Sequence, residues 1–165
     1  MMDNGGPGSE QRRTLIEPTL RRDMATTRNA HTVWTGSLTE GSGNTTLDSS
    51  GLGTFDVTWK ARTEAAEGKT SPEELIAAAH SACFSMAFSH ELSQAGFTPE
   101  EVNTKAEVGF QPGTGITGSH LTLNARIPGI SQEDFQRIAE AAKKGCPVSQ
   151  ALAGIDITLD ATLQS

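Results

Sequence analysis

The stretch that decides the fold runs from Ser71 to Gly96 and reads SPEELIAAAHSACFSMAFSHELSQAG, which predicts a long helix with a cysteine in its middle. Ser71 suits the N-cap, Pro72 suits the first helical position, and Glu74 completes an S-x-x-E capping box. Gly96 is typical of a helix end. The apolar residues recur at spacings of three and four, which predicts a broad buried face. They are Leu75, Ile76, Ala79, Ala82, Cys83, Met86, Ala87 and Phe88.

The size and composition of the chain indicate one domain with a mostly aliphatic core. The chain has 165 residues, aromatic residues make up 5% of them, and tyrosine is absent. The net charge of −7 disfavours nucleic acid and anionic membranes as partners, because both attract basic surfaces. No apolar run reaches the roughly 20 residues that a membrane span needs. Two cysteines are too few for a disulfide-rich secreted scaffold and fit a cytoplasmic thiol pair.

The first part of the chain divides into a tail and a run of short strands. Residues 1–24 are rich in Gly, Pro, Asn and Arg and lack hydrophobic periodicity, so we expect a flexible tail in front of a domain at 25–165. Alternating and β-branched residues then predict a meander of three strands. Its parts are strands at 31–35, 45–47 and 54–59, a turn at 41–44, and a polar loop at 60–69 that leads into the central helix.

The part after the central helix predicts a hairpin, two helices and a final strand. Residues 102–110 and 120–127 alternate apolar with polar side chains across a turn-rich connection. Ser131 suits the cap of a second helix, and Pro147 suits the first position of a short helix with Cys146 at its N-cap. Residues 155–163 alternate cleanly and close the chain. This order predicts an α+β fold with mainly antiparallel sheets and a long central helix.

The two cysteines, Cys83 and Cys146, allow three interpretations from the residues alone. Each could simply fill the core, because free cysteine is often buried. Second, His80 and the two thiols could be ligands of a metal site. The simpler interpretation of His80 is a packed core histidine with one satisfied nitrogen. The third interpretation is a redox pair. Cys146, at a helix N-terminus, is the better placed to form a thiolate, whereas burial would raise the pKa of Cys83 in mid-helix, and a cation would be needed to lower it.

Two motifs, each centred on a cysteine, carry a resemblance to a known family. The segment TSPEELIAAAHSACFSMAFS at 70–89 and the segment GCPVSQALAG at 145–154, followed by the strand ITLDA, resemble the OsmC/Ohr family. This family comprises osmotically inducible protein C and the organic hydroperoxide resistance proteins. The similarity runs from about residue 31 to residue 163 and is closer to the OsmC branch, with the N-terminal tail outside it.

The resemblance implies a thiol peroxidase that works without haem, flavin or metal, on the fold of an intertwined homodimer. By position in the motifs, Cys83 matches the peroxidatic cysteine and Cys146 the resolving cysteine. Glu73 matches the glutamate of the family's active site. The family also uses an arginine from upstream of the helix, for which Arg62 is the candidate and Arg28 a more distant one. The resemblance therefore makes Cys83 the attacking thiol, although its surroundings alone favour Cys146.

The helix geometry agrees with a site that is shared between two subunits. Ten residues of straight helix separate Glu73 from Cys83 by about 15 Å, which is too far for one compact site unless a long arginine bridges them. We therefore expect an obligate homodimer with the sites at its interface. The function that the resemblance implies is the reduction of organic hydroperoxides to alcohols, and less specifically of hydrogen peroxide, in oxidative-stress defence. It would proceed by a two-cysteine sulfenic acid and disulfide cycle that an external dithiol completes. The alternative is a non-catalytic redox sensor or binding protein with the same fold, which would need the two cysteines but not the glutamate and the arginine.

Overall fold

The computed structural model describes residues 25–164 and contains two three-stranded sheets and four helices among them. The predicted tail at residues 1–24 lies outside the described residues. The strands are β1 (His31–Thr35), β2 (Ser42–Thr46), β3 (Thr54–Val57), β4 (Glu101–Gln111), β5 (Gly115–Arg126) and β6 (Asp156–Gln164). The helices are α1 (Trp59–Thr63), α2 (Pro72–Gln94), α3 (Gln132–Gly145) and α4 (Pro147–Ala151). The α+β fold around a long helix is confirmed.

The long helix α2 begins and ends at the residues that the sequence predicts. The Ser71 hydroxyl accepts a hydrogen bond from the Glu74 amide at 3.1 Å, and Pro72 occupies the first turn, where no intrahelical amide bond is needed. The Glu74 carboxylate accepts from the Thr70 hydroxyl at 2.6 Å. Gly96 has a φ of 82°, a left-handed conformation that favours glycine directly after a helix.

The core lies between the second sheet and the helices α2 and α3. In this sheet β4 and β5 are antiparallel, whereas β6 lies parallel to β5, because α3 and α4 carry the chain back across the sheet. The rings of Phe88 and Phe135 meet edge to face at 5.8 Å between α2 and α3. The buried apolar residues are Phe84, Phe88, Leu92, Leu121, Leu123, Ala125, Ile127, Phe135, Ile138, Ala139, Ala142 and Cys146.

The first sheet places β2 between β1 and β3, with both pairings antiparallel. The turn predicted at 41–44 is wrong, since β2 spans Ser42–Thr46 and the connection from β1 precedes it. Gly43 lies inside the strand because the Trp34 ring covers it: a Cβ built there would stand 2.8 Å from a Trp34 ring carbon and 3.0 Å from a Val57 methyl. The glycine of this strand therefore serves close packing and not a turn.

The loop predicted at 60–69 is wrong over its first residues, which form the short helix α1 instead. The Thr58 hydroxyl caps α1 by accepting a hydrogen bond from the Ala61 amide at 3.1 Å. The third strand correspondingly ends at Val57 and not at Trp59. This helix holds Arg62 in a defined position in front of α2.

The broad buried face predicted for α2 is only partly formed by this chain. The buried residues of α2 are Glu73, His80, Phe84, Phe88 and Leu92. By contrast Ala79 and Ala82 are exposed, and Met86 is 67% exposed. The helix therefore presents an apolar strip to solvent on the side away from the core. Within residues 25–164, no helix has both the length and the apolar character to cross a membrane.

Candidate active site

The two cysteines meet where α2 packs against the start of α4. Cys83 lies half-buried in the middle of α2, and Cys146 is fully buried at the N-cap of α4. The side chain of Cys146 lies close enough to that of Cys83 to influence its pKa, and both cysteines are free thiols. Their contact brings together two residues that are separated by a hairpin and a helix in the sequence. The structure thus places the two predicted cysteines in one pair.

The surroundings of Cys83 both oppose and favour its thiolate. Burial is the main influence and raises the pKa of Cys83, as the sequence predicts, and the Cys146 thiol raises it further. The backbone amide of Val148 donates a hydrogen bond to Cys83 and lowers its pKa. The Val148 amide in the first turn of α4 therefore donates its hydrogen bond to Cys83 and not to Cys146, the N-cap residue of the same helix. No cation of residues 25–164 is among the influences that lower the pKa of Cys83.

His80 is a core histidine, as the sequence predicts, but both of its ring nitrogens have partners. Nδ1 lies 2.7 Å from the Ser119 hydroxyl, and Nε2 lies 2.8 Å from the Ser149 hydroxyl. Burial lowers the pKa of His80 and favours the neutral ring. Both nitrogens are occupied, so His80 does not serve as the third ligand of a metal site with the thiols. Among residues 25–164, no group of three metal-ligating side chains is arranged to hold an ion.

Arg62 and Glu73 form an ion pair in front of α2. Arg62 Nη2 lies 2.7 Å from Glu73 Oε1, and Nε lies 3.1 and 3.2 Å from the two carboxylate oxygens. The Glu73 side chain is 8% exposed and that of Arg62 is 27% exposed. The guanidinium also lies 3.9 Å from the centre of the Phe110 ring. Arg28, the more distant candidate, donates instead to the Thr27 carbonyl at an exposed position.

The pair of thiols and the ion pair are two separate clusters along α2. Glu73 lies in the first turn of the helix, and Cys83 lies ten residues further on, which corresponds to about 15 Å of helix. The structure therefore brings Cys83 together with Cys146, and Arg62 together with Glu73, but it does not bring the two clusters into one site within this chain.

An apolar cavity of about 380 Å³ lies beside the ion pair. Arg62 is its charged lining residue, and the other lining residues are Thr32, Trp34, Leu38, Thr45, Val57, Thr58, Trp59, Pro72 and Leu75. A cavity of this kind, apolar with one charged group, suits a small organic molecule with a polar end. The large apolar residues that neighbour Cys83 along α2 do not line this cavity. Phe84 and Phe88 are fully buried in the core, and Met86 is exposed.

Comparisons with known proteins find relatives of this chain by sequence. The family model for OsmC-like protein matches residues 63–160, a span that contains Glu73, Cys83 and Cys146 and begins directly after Arg62. The peroxiredoxin OsmC of Escherichia coli strain K12 is 43% identical over 135 residues, which cover 80% of this chain and 93% of that protein. The organic hydroperoxide resistance protein-like 2 of Staphylococcus epidermidis is 37% identical over 100 residues, which cover 58% and 69%.

Solved structures show the same fold. The organic hydroperoxide resistance protein OsmC of Legionella pneumophila superposes with a TM-score of 0.63 at 28% identity, over 84% of this chain and 98% of that chain. The organic hydroperoxide resistance protein OhrB of Bacillus subtilis superposes with a TM-score of 0.59 at 26% identity, over 81% and 98%. The match covers 98% of each of these two solved chains and 93% of the Escherichia coli protein.

Proposed function

This chain belongs to the OsmC-like protein family, and we propose that it is a cysteine-based peroxidase that reduces organic hydroperoxides to alcohols. The observation that carries the proposal is the proximity of Cys83 to Cys146, where α2 packs against the start of α4. A thiol that attacks a peroxide becomes a sulfenic acid, and a second thiol within contact distance converts that acid into a disulfide. The names of the relatives, peroxiredoxin and organic hydroperoxide resistance protein, support the same class of activity.

The proposed cycle has three balanced steps. The Cys83 thiolate attacks the outer oxygen of R–O–O–H, the O–O bond breaks, and one proton is taken up, so that Cys83 becomes a sulfenic acid and the alcohol R–OH leaves. Cys146 then attacks the Cys83 sulfur, which forms the disulfide and releases one water. An external dithiol reduces the disulfide by thiol–disulfide exchange and is itself oxidised. We place this cycle in the cytoplasm, where dithiol reductants keep thiols reduced.

Arg62 is the proposed source of the positive charge that Cys83 lacks among residues 25–164 of its own chain. A guanidinium near a thiol lowers its pKa, and a carboxylate that binds the guanidinium in a bidentate pair fixes its direction. Glu73 holds Arg62 in this manner at 2.7 Å. The two clusters are separated along α2, so we propose that Arg62 and Glu73 of one subunit approach Cys83 of a second copy of the chain.

The exposed apolar side chains support a homodimer of this kind. The large ones are Val33, Trp34, Leu38, Leu52, Phe55 and Met86. They lie on the first sheet with its connections and on the strip of α2 that faces away from the core. Exposed apolar patches of this extent are typical of surfaces that another protein covers. An intertwined dimer would bury both groups.

The test is the consumption of cumene hydroperoxide with dihydrolipoamide as the reductant, for the wild type and for the variants Cys83→Ser and Cys146→Ser. We expect many turnovers in the wild type and none in Cys83→Ser. Cys146→Ser should still consume one equivalent without reductant, because only the second step is blocked. Full turnover in Cys83→Ser would contradict the assignment of the attacking thiol.

The second candidate, a redox sensor without turnover, is distinguished by the same assay. A sensor would consume one equivalent of peroxide per molecule, whichever dithiol is supplied. The ion pair of Arg62 and Glu73 favours the enzyme, because a sensor needs the two thiols alone and this pair would then have no chemical purpose.

A further inference from the structure

One buried polar cluster beside the thiols has no part in the proposed cycle. It consists of His80 on α2, Ser119 on β5 and Ser149 on α4, whose exposed fractions are 0%, 2% and 6%. The imidazole bridges the two hydroxyls at 2.7 and 2.8 Å. Buried polar groups of this kind are costly unless every one of them is paired. The cluster therefore joins three elements at one defined geometry.

The cluster runs alongside the pair of thiols. His80 precedes Cys83 by three residues on α2, so the two side chains lie on neighbouring positions of one helix face. Ser149 follows Cys146 by three residues in the first turn of α4. The same two helices are thus connected twice, once by the reactive thiols and once by a hydrogen bond between an imidazole and a hydroxyl.

Helix α4 depends on such a connection for its position. It has five residues, and helices of fewer than about 12 residues are marginal without tertiary contacts. Its N-cap residue is Cys146, whose side chain makes no capping hydrogen bond. Cys146 and Val148 also pack in the core, so the loss of a contact at Ser149 would loosen, and not release, the turn that carries the Cys146 thiol and the Val148 amide.

We propose that His80 is a positioning residue that fixes the first turn of α4 through Ser149. In this position the Cys146 thiol and the Val148 amide both stay at the Cys83 sulfur. Ser119 orients the other side of the imidazole from the sheet. The consequence for catalysis rests on the proposed function, whereas the effect on the closeness of the two thiols does not.

The test compares Ser149→Ala with the matched control Ser119→Ala. Each variant removes one hydroxyl from the same imidazole and leaves one buried nitrogen unpaired, so the loss of stability should be similar in the two. Only Ser149→Ala removes the connection to α4. The measurement is the equilibrium between the thiols and the Cys83–Cys146 disulfide in dithiothreitol buffers, which gives the effective concentration of one thiol at the other. Circular dichroism verifies that each variant is folded.

We expect Ser149→Ala to lower this effective concentration at least tenfold, or about 30 mV for a two-electron couple, and Ser119→Ala to lower it less than threefold. Ser149→Thr keeps a hydroxyl and should restore most of the loss. An equal fall in both alanine variants, no fall in Ser149→Ala, or no recovery in Ser149→Thr would overturn the proposal.

A second readout separates this proposal from the proposed function. The sulfenic acid on Cys83 is trapped with dimedone after one equivalent of cumene hydroperoxide, and the fraction trapped reports how slowly Cys146 closes the disulfide. We expect a larger trapped fraction in Ser149→Ala than in Ser119→Ala. If the wild type did not consume peroxide, the peroxidase proposal would fail, while the dithiothreitol equilibrium would still decide the role of His80.

Discussion

Replacing Glu73 with glutamine tests the ion pair most directly. The carboxylate receives three contacts from Arg62, at 2.7, 3.1 and 3.2 Å, and its side chain is 8% exposed. Glutamine keeps one acceptor oxygen but turns an NH₂ group toward a guanidinium that can only donate. One charge-assisted hydrogen bond is lost, which costs about 1.5–3 kcal/mol. The negative charge at the start of α2 is lost too, which costs about 0.5 kcal/mol.

We therefore expect Glu73→Gln to lower the free energy of unfolding by about 2–3.5 kcal/mol, measured by urea denaturation. The peroxidase rate should fall by roughly 10²-fold, because a guanidinium displaced by about 1 Å no longer faces the thiolate. The rate is measured as kcat/KM for cumene hydroperoxide with dihydrolipoamide.

The matched control is Glu67→Gln. Glu67 also accepts from a cation, Lys60, but at 3.5 Å and with both side chains more than half exposed. An exposed pair of this kind is worth less than about 1 kcal/mol, so neither stability nor rate should change measurably. If Glu73→Gln behaved like Glu67→Gln in both assays, the ion pair would hold neither the fold nor the proposed arginine.

Three further predictions concern the interface and the titrating groups. Met86→Glu places a charge on the exposed strip of α2, so we expect sedimentation to show at least a tenfold weaker dimer, while Gln94→Glu at the end of the same helix leaves it unchanged. Because burial lowers the pKa of His80 below its ordinary 6.5, the unfolded chain binds more protons below that pH. The Tm should therefore fall as the pH drops from 7 to 5, and more than in His80→Gln; equal slopes would contradict this. Burial raises the pKa of Cys83 above its ordinary 9.0, and in the proposed dimer Arg62 of the second copy opposes this effect. In a Cys146→Ser background, dissociation by Met86→Glu should therefore shift the pH profile of Cys83 alkylation by iodoacetamide to higher pH. Identical profiles in the dimer and the dissociated chain would exclude a cation from the second copy.

Local signals in the sequence were sufficient to predict the helices that have an N-cap residue and the strands that have a regular alternation of polar and apolar residues. Ser71 and Ser131 accept the amide hydrogen bonds expected of N-caps, and α2 and α3 follow them. The strands β4 and β5 alternate in burial as their residues alternate in polarity. The final strand was predicted within one residue at each end, but its parallel pairing with β5 was not foreseen.

The features of the fold and the site that the sequence does not predict depend on contacts between residues far apart in the chain. Gly43 is predicted as a turn residue, because the sequence around it contains no signal for the contact with the Trp34 ring. The single turn of α1 is too short to show a helical period. At the site, the sequence predicts Cys83, Cys146, Glu73 and Arg62 as site residues, and the structure brings Arg62 into contact with Glu73. The sequence missed the second partner of His80 and the Val148 amide at Cys83, since both connections join segments far apart in the chain.

The parallel pairing of β6 with β5 has a consequence for how the chain is made. Sixty-two residues separate Cys83 from Cys146. At synthesis rates of about 5–20 residues per second, the first thiol leaves the ribosome roughly 3–12 s before the second. In the proposed cycle, a sulfenic acid that forms on Cys83 before α3 and α4 cross back over the sheet would have no resolving partner and would be open to irreversible oxidation. The nascent chain would then be the form most sensitive to irreversible oxidation of Cys83, until folding of the crossover brings Cys146 next to it.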